Sequence, residues 1–366
     1  MSADLTFLGT GAAYPSPSRG ASAIALRFEG ECWLFDCGEG TQIQFMKSHL
    51  KAGRIAKIFI THLHGDHVFG LPGLLCTVSL QCNTSSNKDQ VVEIYGPVGV
   101  RKFLRTSLEI SQSQLVFQYV VHELVPTPDQ CPAEEFRECS VNGFEDRLHP
   151  QEVLGRTIAL DPDEDFYKLF ENEHFTIKAF RLYHRIPSFG FVVEEKERPG
   201  RLNVQMLKEM GVPQGPLYGK LKNGEPVTLE NGITVFPSDV LDKPIPGRKI
   251  CLLGDCTAVI GDIAQKLCFG ADLLVHEATL DDAQIDKAKE HGHSTPKMAA
   301  EFAKSCYVKK LVLSHFSQRY KPLSFVEEGD DDVTELKHQA EEIMNNVEVI
   351  LAEDFMVIEI PINKRN

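Results

Sequence analysis

The stretch Phe59–Gly73, "FITHLHGDHVFGLPG", decides how the rest of the chain is read. It places His62, His64, Asp66 and His67 in one turn, directly after the apolar run "IAKIFIT". A short apolar run of this kind predicts a buried strand, so the four polar side chains gather at a strand end. Such groups lose hydration on folding and need a partner in return. Imidazole nitrogen and carboxylate oxygen are donors that zinc accepts.

Three further runs end the same way. "FTIKAFRLYH" ends at His184, "KICLLGDC" reaches Asp255, and "KKLVLSHF" reaches His315. A strand end is a rigid place to hold a ligand. Seven candidate ligands exceed the four of a tetrahedral ion; they suit two ions that share a bridging carboxylate. A lone histidine is more often a hydrogen-bonded structural residue, and His122, His149, His174 and His338 are read that way.

The elements between these runs predict helices packed on two sheets. "DLTFLGTG", "SAIALRF", "CWLFDCG" and "VVEIYGP" are strand patterns. "TQIQFMKSHLKAG", "GLPGLLCTVSLQC" and "GVRKFLRTSLEIS" are helix patterns. In the second half "ADLLVHEAT" is a strand, "KMAAEFAKSCY" and "LKHQAEEIMNNV" are helices, and "VEVILAED" and "FMVIEIPI" are closing strands. Residues 123–174 are rich in Asp, Glu and Pro and are expected to form an acidic surface insertion with at most short strands. Residues 195–235, dense in Gly, Pro, Lys and Arg, are expected to leave the globule as an arm.

Composition narrows the class. No apolar run approaches the roughly 18 residues that cross a bilayer, so no membrane association is expected. The opening "MSADLTFLGTGAAYP" has no basic n-region or apolar h-region, so no secretory signal is expected there. The ten cysteines contain no C-x-x-C pair, and several lie in apolar runs. They read as small buried hydrophobes of a reducing compartment, the cytosol or nucleus. Net charge is −14, which looks hostile to nucleic acid. Its distribution says otherwise. Residues 123–174 hold 14 acidic and 4 basic residues, whereas residues 195–222 hold 6 basic and 3 acidic. A local basic surface therefore remains open to a polyanion.

The H-x-H-x-D-H turn resembles the signature of the metallo-β-lactamase superfamily. "FLGTGAAYPSPSRGASA", "FDCGEGTQIQ", "HRIPSFGF", "GVPQGPLYGKL", "HEATLDDA", "GHSTP" and "LSHFSQRY" are more narrowly similar to short-form tRNase Z, the zinc phosphodiesterase that matures tRNA 3′ ends. These blocks run in the family's order over nearly the whole chain; the acidic 123–174 segment matches least well.

The resemblance implies a single metallo-β-lactamase-type domain over residues 1–366. Its fold is an α/β sandwich, αββα, of two mixed sheets flanked by helices, with a protruding flexible arm. It implies two zinc ions per chain: His62, His64 and His184 on one, Asp66, His67 and His315 on the other, and Asp255 between them. It implies an endoribonuclease that cuts tRNA 3′ extensions with a hydroxide activated by the two zinc ions, leaving a tRNA 3′-hydroxyl. Asp66 would act as general base or orient the water. His293 would be the general acid or a phosphate contact, with Glu277 orienting it. Arg201, Lys208, Lys220 and Lys222 on the arm would meet phosphates without reading sequence. The family is homodimeric, with one subunit's arm serving the other's site.

Two rivals share part of these features. A thioesterase of glyoxalase II type has the same histidine turn but no use for a basic arm or an H-S-T loop. A non-catalytic RNA-binding protein would keep zinc only for folding, and a structural site needs no open water position. A chelator-sensitive phosphodiester assay separates the second rival, and a thioester substrate the first.

Overall fold

The computed structural model describes residues 3–81, 91–137, 148–327, 329, 331 and 333–363. Two sheets lie face to face with helices on both outer faces, as expected for a four-layer αββα sandwich.

Each sheet is built the same way. In the first, strands Ala3–Gly9, Ala23–Phe28 and Glu31–Phe35 form an antiparallel meander. Strands Ile55–Phe59, Val91–Pro97 and Gln118–Leu124 then continue it in parallel. In the second, Phe175–Tyr183, Ser188–Glu195 and Lys249–Leu253 are antiparallel. Leu273–Glu277, Lys310–Ser314 and Glu348–Leu351 add in parallel. The strand Val357–Glu359 crosses back to pair with the first strand, Asp4 opposite Glu359, and ties the halves together.

The alternation of side chains explains the three interior layers. On Lys249–Leu253, Cys251 and Leu253 face the helices, while Ile250 and Leu252 face the other sheet. The helices Ile263–Cys268, Pro296–Ser305 and Thr334–Met344 cover that outer face. Leu71–Gln81 and Val100–Ile110 cover the corresponding face of the first sheet. The layer between the sheets is aromatic: Phe59 stacks on Phe35 at 4.9 Å and on Tyr95 at 5.2 Å between ring centroids. Parallel strands buried on both sides need apolar residues at nearly every position, which is why "IFI" and "LVL" stand at the heart of "IAKIFIT" and "KKLVLSHF"; Lys57, the buried exception, pairs with Glu93 at 2.9 Å. Cys82, the last residue of one expected helix, and Cys139 lie outside the described residues; the other eight cysteines are free thiols.

The parallel strands end on one edge, and the turns after them form one surface. Residues 196–248 leave the second sheet at its opposite end. They run out and back as a two-stranded stalk, with Arg198 opposite Ile245 and Leu202 opposite Leu241. At the tip, helices Val204–Glu209 and Pro216–Lys222 and the hairpin Val227–Thr228/Thr234–Val235 enclose a small core of Leu207, Val212, Leu221, Val227, Val235 and Val240. The acidic segment is joined to both sheets. Glu152–Val153 and Thr157–Ile158 pair with Gln118–Leu124, and Tyr167–Glu171 pairs with Phe175–Tyr183. Residues 138–147 of that segment lie outside the described residues.

Candidate metal centre

The seven residues singled out from the sequence converge. Ligand atoms of His62, His64, His184 and Asp255 lie within 4.8 Å of one another, as do those of Asp66, His67, Asp255 and His315. Asp255 belongs to both groups. Its Oδ2 is 3.7 Å from His62 Nε2 and 3.3 Å from His315 Nε2, and its Oδ1 is 3.4 Å from His67 Nε2.

Four of the five imidazoles are held from behind. His184 Nδ1 donates to the Gly292 carbonyl at 2.6 Å, and His67 Nδ1 donates to Asp36 Oδ2 at 2.7 Å. With the proton on Nδ1, the Nε2 lone pair of each ring is left to face the centre. His62 Nδ1 donates to Thr61 Oγ1 at 3.0 Å, and that hydroxyl passes its own proton to Asp36 at 2.8 Å. His315 Nδ1 has the matching arrangement on the other side: it donates to Thr279 Oγ1 at 3.0 Å, and Thr279 donates to Glu277 Oε2. His64 is turned the other way. Its Nδ1 lies 3.1 Å from both His62 Nε2 and His184 Nε2. These nitrogens face one another with no protein donor between them. That geometry, with the N/O donor set, fits zinc.

The electrostatics agree. Burial drives the pKa of His62 and His184 down and that of His64 down to about 4, so these rings are neutral and free to ligate. Burial also works against a charged His67, but Asp255, Asp36 and Asp66 overcome it and raise His67 well above its ordinary value, so without a metal its Nε2 carries a proton that a bound cation would displace. Burial opposes ionisation of Asp255, yet His315, His67 and His62 hold it well below the usual carboxylate range. Asp255 is therefore ionised, and its two oxygens are available to a cation.

His293 and Glu277 lie beside this cluster. His293 Nδ1 is 3.2 Å from Glu277 Oε1 and 3.7 Å from Asp255 Oδ2. Burial would lower the His293 pKa, but the charges of Glu277, Asp255 and Asp66 reverse this and raise it to about 9. With no metal in the centre, the ring is therefore charged at neutral pH. Glu277 is buried, and it also accepts the Cys256 N–H at 2.7 Å. Glu277, His293 and His315 bring ligand atoms within 4.8 Å as a third group. Glu277 and His315 are already engaged through Thr279, so this group reads as a hydrogen-bonded relay.

Arg201, Lys208, Lys220 and Lys222 stand exposed on the stalk and tip, far from the cluster in the fold. None has an ion-pair partner among the described residues. His122 and His149 are buried and hydrogen-bonded, the first accepting from Arg156 N and the second bound to the Ser113 carbonyl. His174 and His338 are exposed.

The sequence reading missed the supports. Asp36 ends the strand pattern "CWLFDCG" much as Asp255 ends "KICLLGDC", and that likeness was a usable signal. Asp36 and His315 both adopt left-handed backbone, φ 58° and 57°, a conformation that non-glycine residues adopt rarely and often at functional sites. Gln130 had no signal: its carbonyl accepts the His184 N–H at 2.9 Å, and its amide reaches the Ser188 carbonyl at 2.7 Å.

Comparison with known proteins agrees with this geometry. The family model described as "Anti-Pycsar protein Apyc1" matches residues 3–111, a span that includes the histidine turn. Zinc phosphodiesterase ELAC protein 1 of Homo sapiens is 68% identical over 365 residues, covering 100% of both chains. Ribonuclease Z of Streptococcus suis is 37% identical over 94% of this chain and 97% of its own. The crystal structure of human tRNase Z, short form, superposes with a TM-score of 0.68 at 53% identity, over 98% of this chain and 100% of that one. Layers, strand order and these likenesses together establish that the chain is a metallo-β-lactamase-fold enzyme belonging to the ribonuclease Z family.

Proposed function

We propose that this protein is a zinc-dependent endoribonuclease that removes 3′ extensions from tRNA and leaves a 3′-hydroxyl on the tRNA. The observation that carries the reading is the pair of four-residue groups meeting at Asp255. We assign His62, His64, His184 and Asp255 to one zinc and Asp66, His67, His315 and Asp255 to a second, two per chain. Bound zinc supplies Lewis acidity and lowers the pKa of water.

The chain's own residues supply the rest. Asp36 and Glu277, through Thr61 and Thr279, fix the rings that face the metals. Asp66 Oδ2, anchored by the Ala13 N–H at 2.7 Å, is placed to orient the attacking water or take its proton. His293, charged and held through Nδ1 by Glu277, keeps its Nε2–H for the leaving 3′-oxygen. Proton donation to such a group is worth roughly 10²–10⁴ in rate.

The arm is assigned to the tRNA body. It leaves the second sheet at the Glu195 end of an eight-residue strand whose other end adjoins the centre. That places its root roughly 25 Å from the reacting atoms. Arg201, Lys208, Lys220 and Lys222, exposed beyond that root, are placed to meet phosphates of the tRNA body. The same separation suits a homodimer in which one subunit's arm serves the other's centre. A cytosolic or nuclear location fits the substrate and the free cysteines. The test is to map the cut in a tRNA carrying a 3′ extension, with and without a chelator. A chelator-sensitive cut that releases the extension supports the proposal; cleavage of a thioester in place of the RNA overturns it.

A further inference from the structure

The arm, expected to be flexible, is firmly built at its root. Where the stalk leaves and re-enters the second sheet, Glu195 and Arg248 face each other. Arg248 Nε lies 2.8 Å from Glu195 Oε2 and Nη2 lies 3.2 Å from Oε1. The backbones are joined too: Glu195 N donates to the Arg248 carbonyl at 2.8 Å, and Arg248 N to Glu195 Oε2 at 3.1 Å. Both side chains are nearly fully buried. Arg248 also reaches the first sheet's side of the molecule. Its Nη1 donates to the Ile360 carbonyl at 3.0 Å, and its guanidinium lies 5.2 Å from the centre of the Phe28 ring. Asn363 adds a tie to the Gly247 carbonyl at 2.9 Å.

Above the root the two strands of the stalk run backbone against backbone. A Cβ at Gly247 would lie 1.7 Å from the Glu195 carbonyl oxygen, and one at Gly200 would lie 2.0 Å from that of Asp242. Only glycine permits these contacts. Arg198 and Ile245 exchange N–H···O bonds of 2.9 and 2.8 Å, and Asp242 N donates to the Arg201 carbonyl at 2.9 Å. Pro199, Pro244 and Pro246 remove backbone freedom between these rungs.

We infer that Arg248 is a positioning residue for tRNA: by locking the stalk root to both sheets it holds the basic tip at a set position on the body, and so relative to the metal centre that the arm serves. This deepens, and rests on, the proposed role of the arm. A contact made far from the scissile bond contributes to binding only if its distance to that bond is fixed; a loose arm would have to be ordered each time tRNA binds. Arg248 touches neither the tRNA nor the reacting atoms, so its effect belongs in KM and not in the chemical step.

The test compares Arg248→Met with the intact protein on two substrates, a 3′-extended tRNA and a nitrophenyl phosphodiester. The expected result is a KM for tRNA raised by about tenfold or more with kcat unchanged. Turnover of the small ester should not change, and amide exchange at Arg198 and Ile245 should be faster. Gly200→Ala, which forces the stalk strands apart without touching either sheet, should have the same signature and decides the matter if Arg248→Met does not fold. A KM for tRNA within about twofold of wild type, with exchange at Arg198 and Ile245 clearly accelerated, would make the clamp merely structural and overturn the inference. An arm-replaced protein is run in parallel. If it binds and cuts tRNA normally, the arm's role itself is wrong, a failure distinct from that of the clamp.

Discussion

Glu277→Gln removes one charge and almost nothing else. In the native site Glu277 Oε1 accepts from Cys256 N and His293 Nδ1, and Oε2 accepts from the Thr279 hydroxyl. A glutamine in the same rotamer keeps its carbonyl oxygen toward Cys256 and His293. Its amide then donates to Thr279 Oγ1, and the Thr279 proton turns to the His315 carbonyl, already 3.0 Å away. Every donor of the native site stays satisfied and His315 keeps its tautomer, and only the second amide N–H of the glutamine lacks a partner, so fold and zinc content should hold. His293 is what changes. Burial lowers its pKa, and the Glu277 charge is foremost among the groups that raise it to about 9. Without that charge the pKa of the ring falls, and a smaller fraction of it is charged and able to donate to the leaving oxygen. Cleavage of 3′-extended tRNA should fall by roughly 10²-fold, the low end of a general acid's worth, because Asp255 and Asp66 still favour the proton. The alkaline limb of kcat should move to lower pH, and acidifying the assay should restore part of the lost rate. A nitrophenyl phosphodiester, whose leaving group needs no proton, should be cut at close to the wild-type rate. An equal loss on both substrates would refute the acid role of His293; no loss on tRNA would reduce Glu277 to a structural carboxylate.

Asp255→Ala removes a ligand from both groups, so zinc content should drop for both ions, and cleavage should fall further than for His64→Ala, measured by metal analysis beside activity. Asp36→Ala frees His67 and, through Thr61, His62; both ions should bind roughly 10–100-fold more weakly in a competitive chelator titration, with a lowered Tm. Replacing residues 196–247 by a short Gly/Ser turn is geometrically simple, because Glu194 and Lys249 are already ladder partners. The product should keep small-ester hydrolysis and lose tRNA cleavage, and reversing the charges of Lys220 and Lys222 in the full chain should flatten the salt dependence of tRNA binding.

The sequence announced the seven converging side chains more clearly than their supports, for a physical reason. His62, His64, Asp66 and His67 are close in the chain, and His184, Asp255 and His315 each follow an apolar strand, so short-range pattern was enough to find them. The αββα layering was legible for the same reason: buried parallel strands leave nearly unbroken apolar runs. Thr61 and Thr279 act as relays only because a strand from each sheet brings them beneath a ring, and threonine is too common at strand ends to stand out. Gln130 shows the limit most plainly. It lies in the acidic segment, which has little periodicity, yet it is buried and supports His184. The Glu195–Arg248 clamp was equally hidden, since nothing local to either residue shows that the chain returns between them.

The central claim is that seven side chains hold two zinc ions across Asp255. Diffraction from zinc-loaded crystals, collected at the zinc absorption edge, tests it directly. Two anomalous peaks are expected, one ringed by His62, His64 and His184 and the other by Asp66, His67 and His315, with an Asp255 oxygen at about 2.0–2.2 Å from each. A single peak, or none, in protein that still trims tRNA would contradict it.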